Sequence, residues 1–83
     1  MQRSWVVSPD YRAAIEAIKS ARVEKDISQR ELARRLGKPP SFVNKIELLE
    51  RRIDILEFIH VSRALEMEPQ ALLRNIEQAL SRI

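Results

Sequence analysis

Cysteine is absent from these 83 residues, glycine occurs once, and histidine, tryptophan and tyrosine occur once each. Without cysteine there is no disulfide and no thiolate metal site, so the fold must rest on packing or on assembly with another chain. A single glycine excludes a glycine-rich phosphate loop. The one histidine, His60, has Glu57 and Arg63 a turn to either side and reads as a structural or surface residue, not a catalytic one. Asp54 and Glu57, three apart on one helix, read as capping and surface charge and not as an acid–base pair. No enzyme activity and no cofactor or metal are therefore expected. Long apolar runs are missing too: nothing approaches the ~20 residues that span a bilayer, and the N-terminus shows no signal-peptide core or cleavage site. A cytoplasmic, nucleoid-associated protein without a membrane partner is expected.

What is present is a soluble balance of 45% hydrophobic and 33% charged residues, enough for one modest core but not two. The net charge of +3 is unevenly spread. Residues 28–52 hold seven basic and three acidic side chains, whereas residues 53–83 hold three basic and five acidic. The middle of the chain is thus the part suited to a polyanion.

That middle segment also carries the clearest structural pattern. Ser28 and Glu31 have the spacing of a capping box, with Ile27 and Leu32 at the positions of a hydrophobic staple. Leu32, Ala33 and Leu36 share one helical face, and Gly37 follows where a helix end needs a positive φ. Pro39 and Pro40 suit the first turn of a second helix that opens near residue 40. Two short helices joined this tightly, with a small residue at Ala33 to let them approach, form a helix-turn-helix.

On the second of these helices Phe42, Val43 and Ile46 point inward, and Ser41, Asn44 and Lys45 occupy the opposite face. Asparagine pairs with adenine through two hydrogen bonds, lysine donates to guanine O6 and N7, and serine serves a base or a phosphate. This trio is the candidate base-reading set for double-stranded DNA; a merely solvated helix face is the plainer alternative. Ser28 and Gln29 at the start of the first helix, with Lys38, Arg51 and Arg52 flanking the second, are the candidate phosphate contacts. Arg30, Arg34 and Arg35 are a reserve pool, and Arg34 or Arg35 is as well placed to pair with Glu31.

Around this centre the rest reads as helix. Residues 1–8 form an N-terminal arm, either a bland arm or one that sends Arg3 to a DNA groove or Trp5 across a dimer. Residues 9–83 form the DNA-binding domain. Ser8-Pro9-Asp10 opens a helix to about Lys25, its apolar stripe running through Tyr11, Ala14, Ile15, Ile18, Ala21 and Val23. An apolar-rich segment, Ile53–Met67, reads as the central and most buried helix, with Ile55, Leu56, Ile59 and Leu65 in the core and Phe58 and Val61 partly off that face. Pro69 opens a last helix whose apolar positions Leu72, Leu73, Ile76, Leu80 and Ile83 run to the chain end. Leu73, Ile76, Leu80 and Ile83 are the candidate homodimer contact; a helix simply docked along its length is the alternative.

These residues resemble the lambda repressor and Cro family, also called the Xre family, over about Ile15 to Leu73. The resemblance rests on residues 27–37 (ISQRELARRLG), 41–47 (SFVNKIE) and 51–58 (RRIDILEF), with Ala64-Leu65 and Pro69. It implies an all-α, five-helix lambda-repressor-like bundle that binds operator DNA, commonly as a homodimer, with the third helix in the major groove. Gln29 would touch phosphate, and Pro40, Ser41, Asn44 and Lys45 would face bases. Three residues depart from the pattern. Pro40 removes one base-reading side chain, Leu49 stands where a glycine usually ends the third helix, and Glu66 replaces a second common glycine. Leu49 in a left-handed turn costs roughly 1–2 kcal/mol, the other outcome being one helix fused through residue 49. The retained turn is the expectation.

A repressor is expected over an activator, since nothing in these residues reads as an activation or ligand domain. The antitoxin of a toxin pair, with a protein partner besides DNA, is one alternative. A protein-interaction module using Phe58, Val61 and the C-terminal stripe is the other.

Overall fold

The computed structural model describes residues 8–82. They form five helices, α1 Pro9–Glu24, α2 Gln29–Arg35, α3 Ser41–Glu47, α4 Ile55–Ala64 and α5 Pro69–Leu80. The expectations for Arg3, Trp5 and Ile83 lie outside the described residues.

Local chemistry starts each element. Ser8 Oγ accepts from the Tyr11 N–H at 3.2 Å, with Pro9 in the first turn of α1. Ser28 Oγ likewise accepts from the Glu31 N–H at 3.0 Å. The reciprocal half of that expected capping box is not made, because Glu31 turns to Arg34 and Arg35, 2.6 and 2.9 Å from its Oε2. Two charge-assisted bonds outweigh one to a neutral amide. The complete box is on α4, where Asp54 accepts from the Glu57 N–H at 2.7 Å and Glu57 accepts from the Asp54 N–H at 3.0 Å.

The first four helices end alike. A left-handed residue follows each cap: Asp26, Gly37, Leu49 and Glu66, with φ of 58°, 67°, 65° and 60°. In each turn the next N–H reaches back five residues, as Ile27 to Arg22, Lys38 to Ala33, Glu50 to Lys45 and Met67 to Ser62, at 2.9–3.2 Å. These are Schellman ends, which satisfy carbonyls that the helix leaves open. The turn at Leu49 therefore forms, α3 and α4 stay separate, and the bundle closes within one chain.

The core gathers Ile15, Ile18, Leu32, Phe42, Val43, Ile46, Val61, Leu65 and Leu72, all buried. Ala33, with no exposed surface, lies where α2 and α3 pack together, and α1 and α5 share the largest helix–helix contact. Near the end of α1 the stripe continues through Ala21 and Arg22, both buried, while Val23 is 56% exposed.

Helix α4 corrects the sequence reading. It is shorter than Ile53–Met67, being bounded by the Asp54 cap and the Glu66 turn. Its inward face is Val61, Ser62 and Leu65, whereas Ile55 and Leu56 are 76% and 64% exposed. The segment is apolar on several sides, so periodicity alone did not fix its rotation. A serine reads as polar, yet Ser62 sits fully buried because its hydroxyl donates to the Phe58 carbonyl at 2.8 Å. Of the candidate dimer stripe, Ile76 is buried in its own core. Leu73 and Leu80 of the same stripe are exposed.

Candidate nucleic-acid interface

Helix α3 has two unlike faces. Phe42, Val43 and Ile46 are buried, and Ser41, Asn44 and Lys45 are exposed, as their helical spacing predicts. Pro40 occupies the N-cap position and makes no side-chain cap; its side chain carries no hydrogen-bonding group. Seven residues give three outward polar side chains on a helix whose inner side is fixed in the core.

Both ends of α3 are tied to neighbouring elements by charged groups. At its C-terminal end Glu47, whose side chain is 5% exposed, accepts from Arg22 Nε at 2.7 Å and Nη2 at 3.0 Å. The same carboxylate accepts from Gln29 Nε2 at 2.7 Å, and Arg22 Nη1 donates to the Ile27 carbonyl at 2.8 Å. One acid thus joins the end of α1, the start of α2 and the end of α3. A buried ion pair needs such complete satisfaction to repay its desolvation. Gln29, expected to serve phosphate, has one amide hydrogen engaged here; an amide nitrogen carries two.

At the other end Arg51 forks onto Glu57, Nη1 to Oε1 at 2.9 Å and Nη2 to Oε2 at 2.7 Å, and lies 4.8 Å from the centroid of the Phe42 ring. Lys38 Nζ is 5.4 Å from the same ring. The Arg51 fork holds the Glu57 carboxyl at about 2, well below its usual 4.5, with the Asp54 N–H assisting. Arg52 lies 4.7 Å from the centroid of the Tyr11 ring, and the Tyr11 hydroxyl accepts from the Ile53 N–H at 3.3 Å. Beside the entry to α3, Ser28, Arg30, Glu31, Arg34, Lys38 and Pro40 line an open cleft of about 380 Å³. Within it Arg34 holds Glu31, which Arg35 also engages, so that the Glu31 carboxyl falls to about 2. Arg35 reaches further, to the Ala64 carbonyl at 2.8 Å.

The structure therefore brings Ser41, Asn44 and Lys45 onto one exposed surface, with Lys38 just before the helix and Arg52 just after it. It sets Gln29 and Arg51 in intramolecular hydrogen bonds, and Lys38 and Arg52 over the Phe42 and Tyr11 rings. Sequence reasoning placed Glu57 with Asp54 as a cap, as found, but missed Arg22, Glu47 and the fork of Arg51 on Glu57. Arg22 had a visible signal, since it sits four residues after Ile18 and seven after Ile15 on the apolar face of α1, where a charge needs a buried partner. Glu47 had none, as it looks like an ordinary surface acid, and nothing in the spacing of Glu57 beyond its cap marks Arg51 as a partner.

Two helices crossing through a tight left-handed turn, the second bearing an outward polar trio among cations, define a helix-turn-helix DNA-binding domain. The family model for helix-turn-helix proteins matches residues 18–72. Among solved structures, an XRE-family like protein from Pseudomonas syringae pv. tomato str. DC3000 is 43% identical, with a TM-score of 0.77, covering 83% of this chain and 84% of that one. No curated protein matches. The chain belongs to the XRE family of helix-turn-helix proteins, and its coarse function is that of a DNA-binding transcription regulator of this type. No helix among the described residues is long and apolar enough to cross a membrane.

Proposed function

We propose that this protein is a sequence-specific repressor that binds double-stranded DNA as a homodimer in the cytoplasm, each copy laying α3 in the major groove. The observation that carries this is the outward trio Ser41, Asn44 and Lys45 on a helix braced at both ends. In this reading Asn44 and Lys45 read base edges, Ser41 reads a base or the adjoining phosphate, and Lys38 and Arg52 neutralise phosphates. Ser28 and Gln29 approach the backbone at the start of α2, Gln29 through its second amide hydrogen.

In a dimer of this class the α3 helices meet half-sites about one turn of duplex apart, ~34 Å, a spacing on the scale of the 30 × 30 × 22 Å domain. The apolar side chains left exposed on α4 and α5, Ile55, Leu56, Leu73 and Leu80, supply the contact in place of Ile76. A pair of such domains covers the duplex and blocks its use sterically, which is repression in its simplest form.

Selection from random duplexes, followed by titration at two salt concentrations, tests the reading. A roughly palindromic consensus and a steep salt dependence are expected. Binding without sequence preference would overturn it. Sedimentation of the chain and of Leu56→Asp checks the dimer, the variant being expected to sediment as a monomer.

A further inference from the structure

Arg51 stands in the basic run after α3, where a phosphate contact is the natural assignment, yet its guanidinium, with the side chain 40% exposed, makes three hydrogen bonds inside the molecule. Besides forking onto Glu57, Nη1 donates to the Arg52 carbonyl at 2.7 Å, and the group stacks on Phe42. Phe42 is buried, is the second residue of α3 and lies between Ser41 and Asn44 in sequence. Glu57 in turn is fixed by the α4 capping box. A continuous set of contacts therefore runs from the start of α4, through one guanidinium, to the ring that seats the start of α3. It spans the turn that holds the left-handed Leu49.

We propose that Arg51 is a positioning residue for DNA recognition: clamped by Glu57 and stacked on Phe42, it sets the direction in which Ser41 and Asn44 meet the bases. This rests on the DNA-reading role of α3. It assigns to Glu57 a role opposite to the one its charge suggests. An acid near a DNA-binding face repels phosphates, so removal of a bystander acid raises affinity for every duplex. Removal of an acid that orients the reading helix lowers affinity for the preferred duplex alone. Arginine is specific here, because lysine keeps the charge but has neither the planar fork nor the stacking face.

The test compares the full chain with Arg51→Lys, Arg51→Met and Glu57→Gln. The probes are the duplex selected by the wild type and a scrambled duplex of the same composition, titrated at several salt concentrations below each variant's melting temperature. All three variants are expected to lose on the order of 10-fold on the selected duplex, to change less than about 2-fold on the scrambled one, and to keep the wild-type salt slope. Equal losses on both duplexes for Arg51→Met, with the slope shallower by about one, would make Arg51 a phosphate contact and overturn the proposal. Tighter binding of Glu57→Gln to both duplexes would do the same. Amide chemical shifts of DNA-free Arg51→Lys give an arm independent of affinity. Shifts at Ser41 to Asn44 with an unmoved core at Ile15 and Leu72 support the clamp, and unmoved Ser41 to Asn44 amides contradict it. If the wild type selects no duplex, the DNA reading fails, and the chemical shifts still decide whether Arg51 positions α3.

Discussion

The turns on either side of α3 have the same backbone and different chemistry. Before α3, Gly37 takes φ 67° and bonds to the Arg34 carbonyl at 3.0 Å; after it, Leu49 takes φ 65° and bonds to the Ile46 carbonyl at 3.0 Å. Glycine enters this conformation without steric cost, whereas leucine brings its Cβ against the neighbouring carbonyl. The first turn thus rests on a residue whose backbone enters this conformation freely, and a Cβ added at Gly37 would meet open space. The second turn is specified by side chains: Leu49 packs partly buried against the core, and Arg51, Phe42 and Glu57 tie its two flanking helices together. Helix α3 is set at one end by what a residue lacks and at the other by what its neighbours touch.

Substitutions at these turns separate the two kinds of control. The largest effect is expected for Gly37→Val, which keeps every contact and adds only backbone strain; urea denaturation should show a loss of about 2 kcal/mol. The side-chain clamp at the second turn should show itself through pH. Glu57 titrates at about 2 in the folded protein against a usual 4.5, so its contribution is complete above about pH 5 and fades as pH falls through 4.5 toward 2. Glu57→Gln should be less stable than wild type at pH 7 by on the order of 1 kcal/mol, with the gap narrowing toward pH 3. Glu66→Gly relieves the same strain where the side chain is exposed and reaches Arg35 only at 3.8 Å. It should stabilise by about 1 kcal/mol, raising the melting temperature by roughly 4–8 °C. Leu49→Gly is the closest comparison of the turns and the smallest expected effect. Relief of strain and loss of packing oppose each other, and stability should stay within about 0.5 kcal/mol of wild type.

Much of this was legible in the chain because local signals agreed with the tertiary solution. Ser8, Ser28 and Gly37 mark helix ends by their own chemistry, and the alternation of Phe42, Val43 and Ile46 with Ser41, Asn44 and Lys45 gives both faces of α3. The turn at Leu49 was implied by the family resemblance, since Arg51-Arg52-Ile53-Asp54 keeps the family's spacing after it. What escaped was set by distant partners. In α4 no single apolar stripe stood out, and only packing chose Val61, Ser62 and Leu65 over Ile55 and Leu56. Ile76 faces its own core because α5 lies along α1. The acids that engage Gln29 and Arg51 lie 18 and 6 residues away, so neither contact shows in the local pattern.

The central claim is that α3 reads bases, and Asn44→Ala tests it most directly. Asn44 is exposed and packs no core, so its truncation leaves the fold intact. On the duplex selected by the wild type, the variant should lose about 1–3 kcal/mol of binding and discriminate less at one base position, with its affinity for random duplex unchanged. Equal losses on selected and random duplexes would contradict the account.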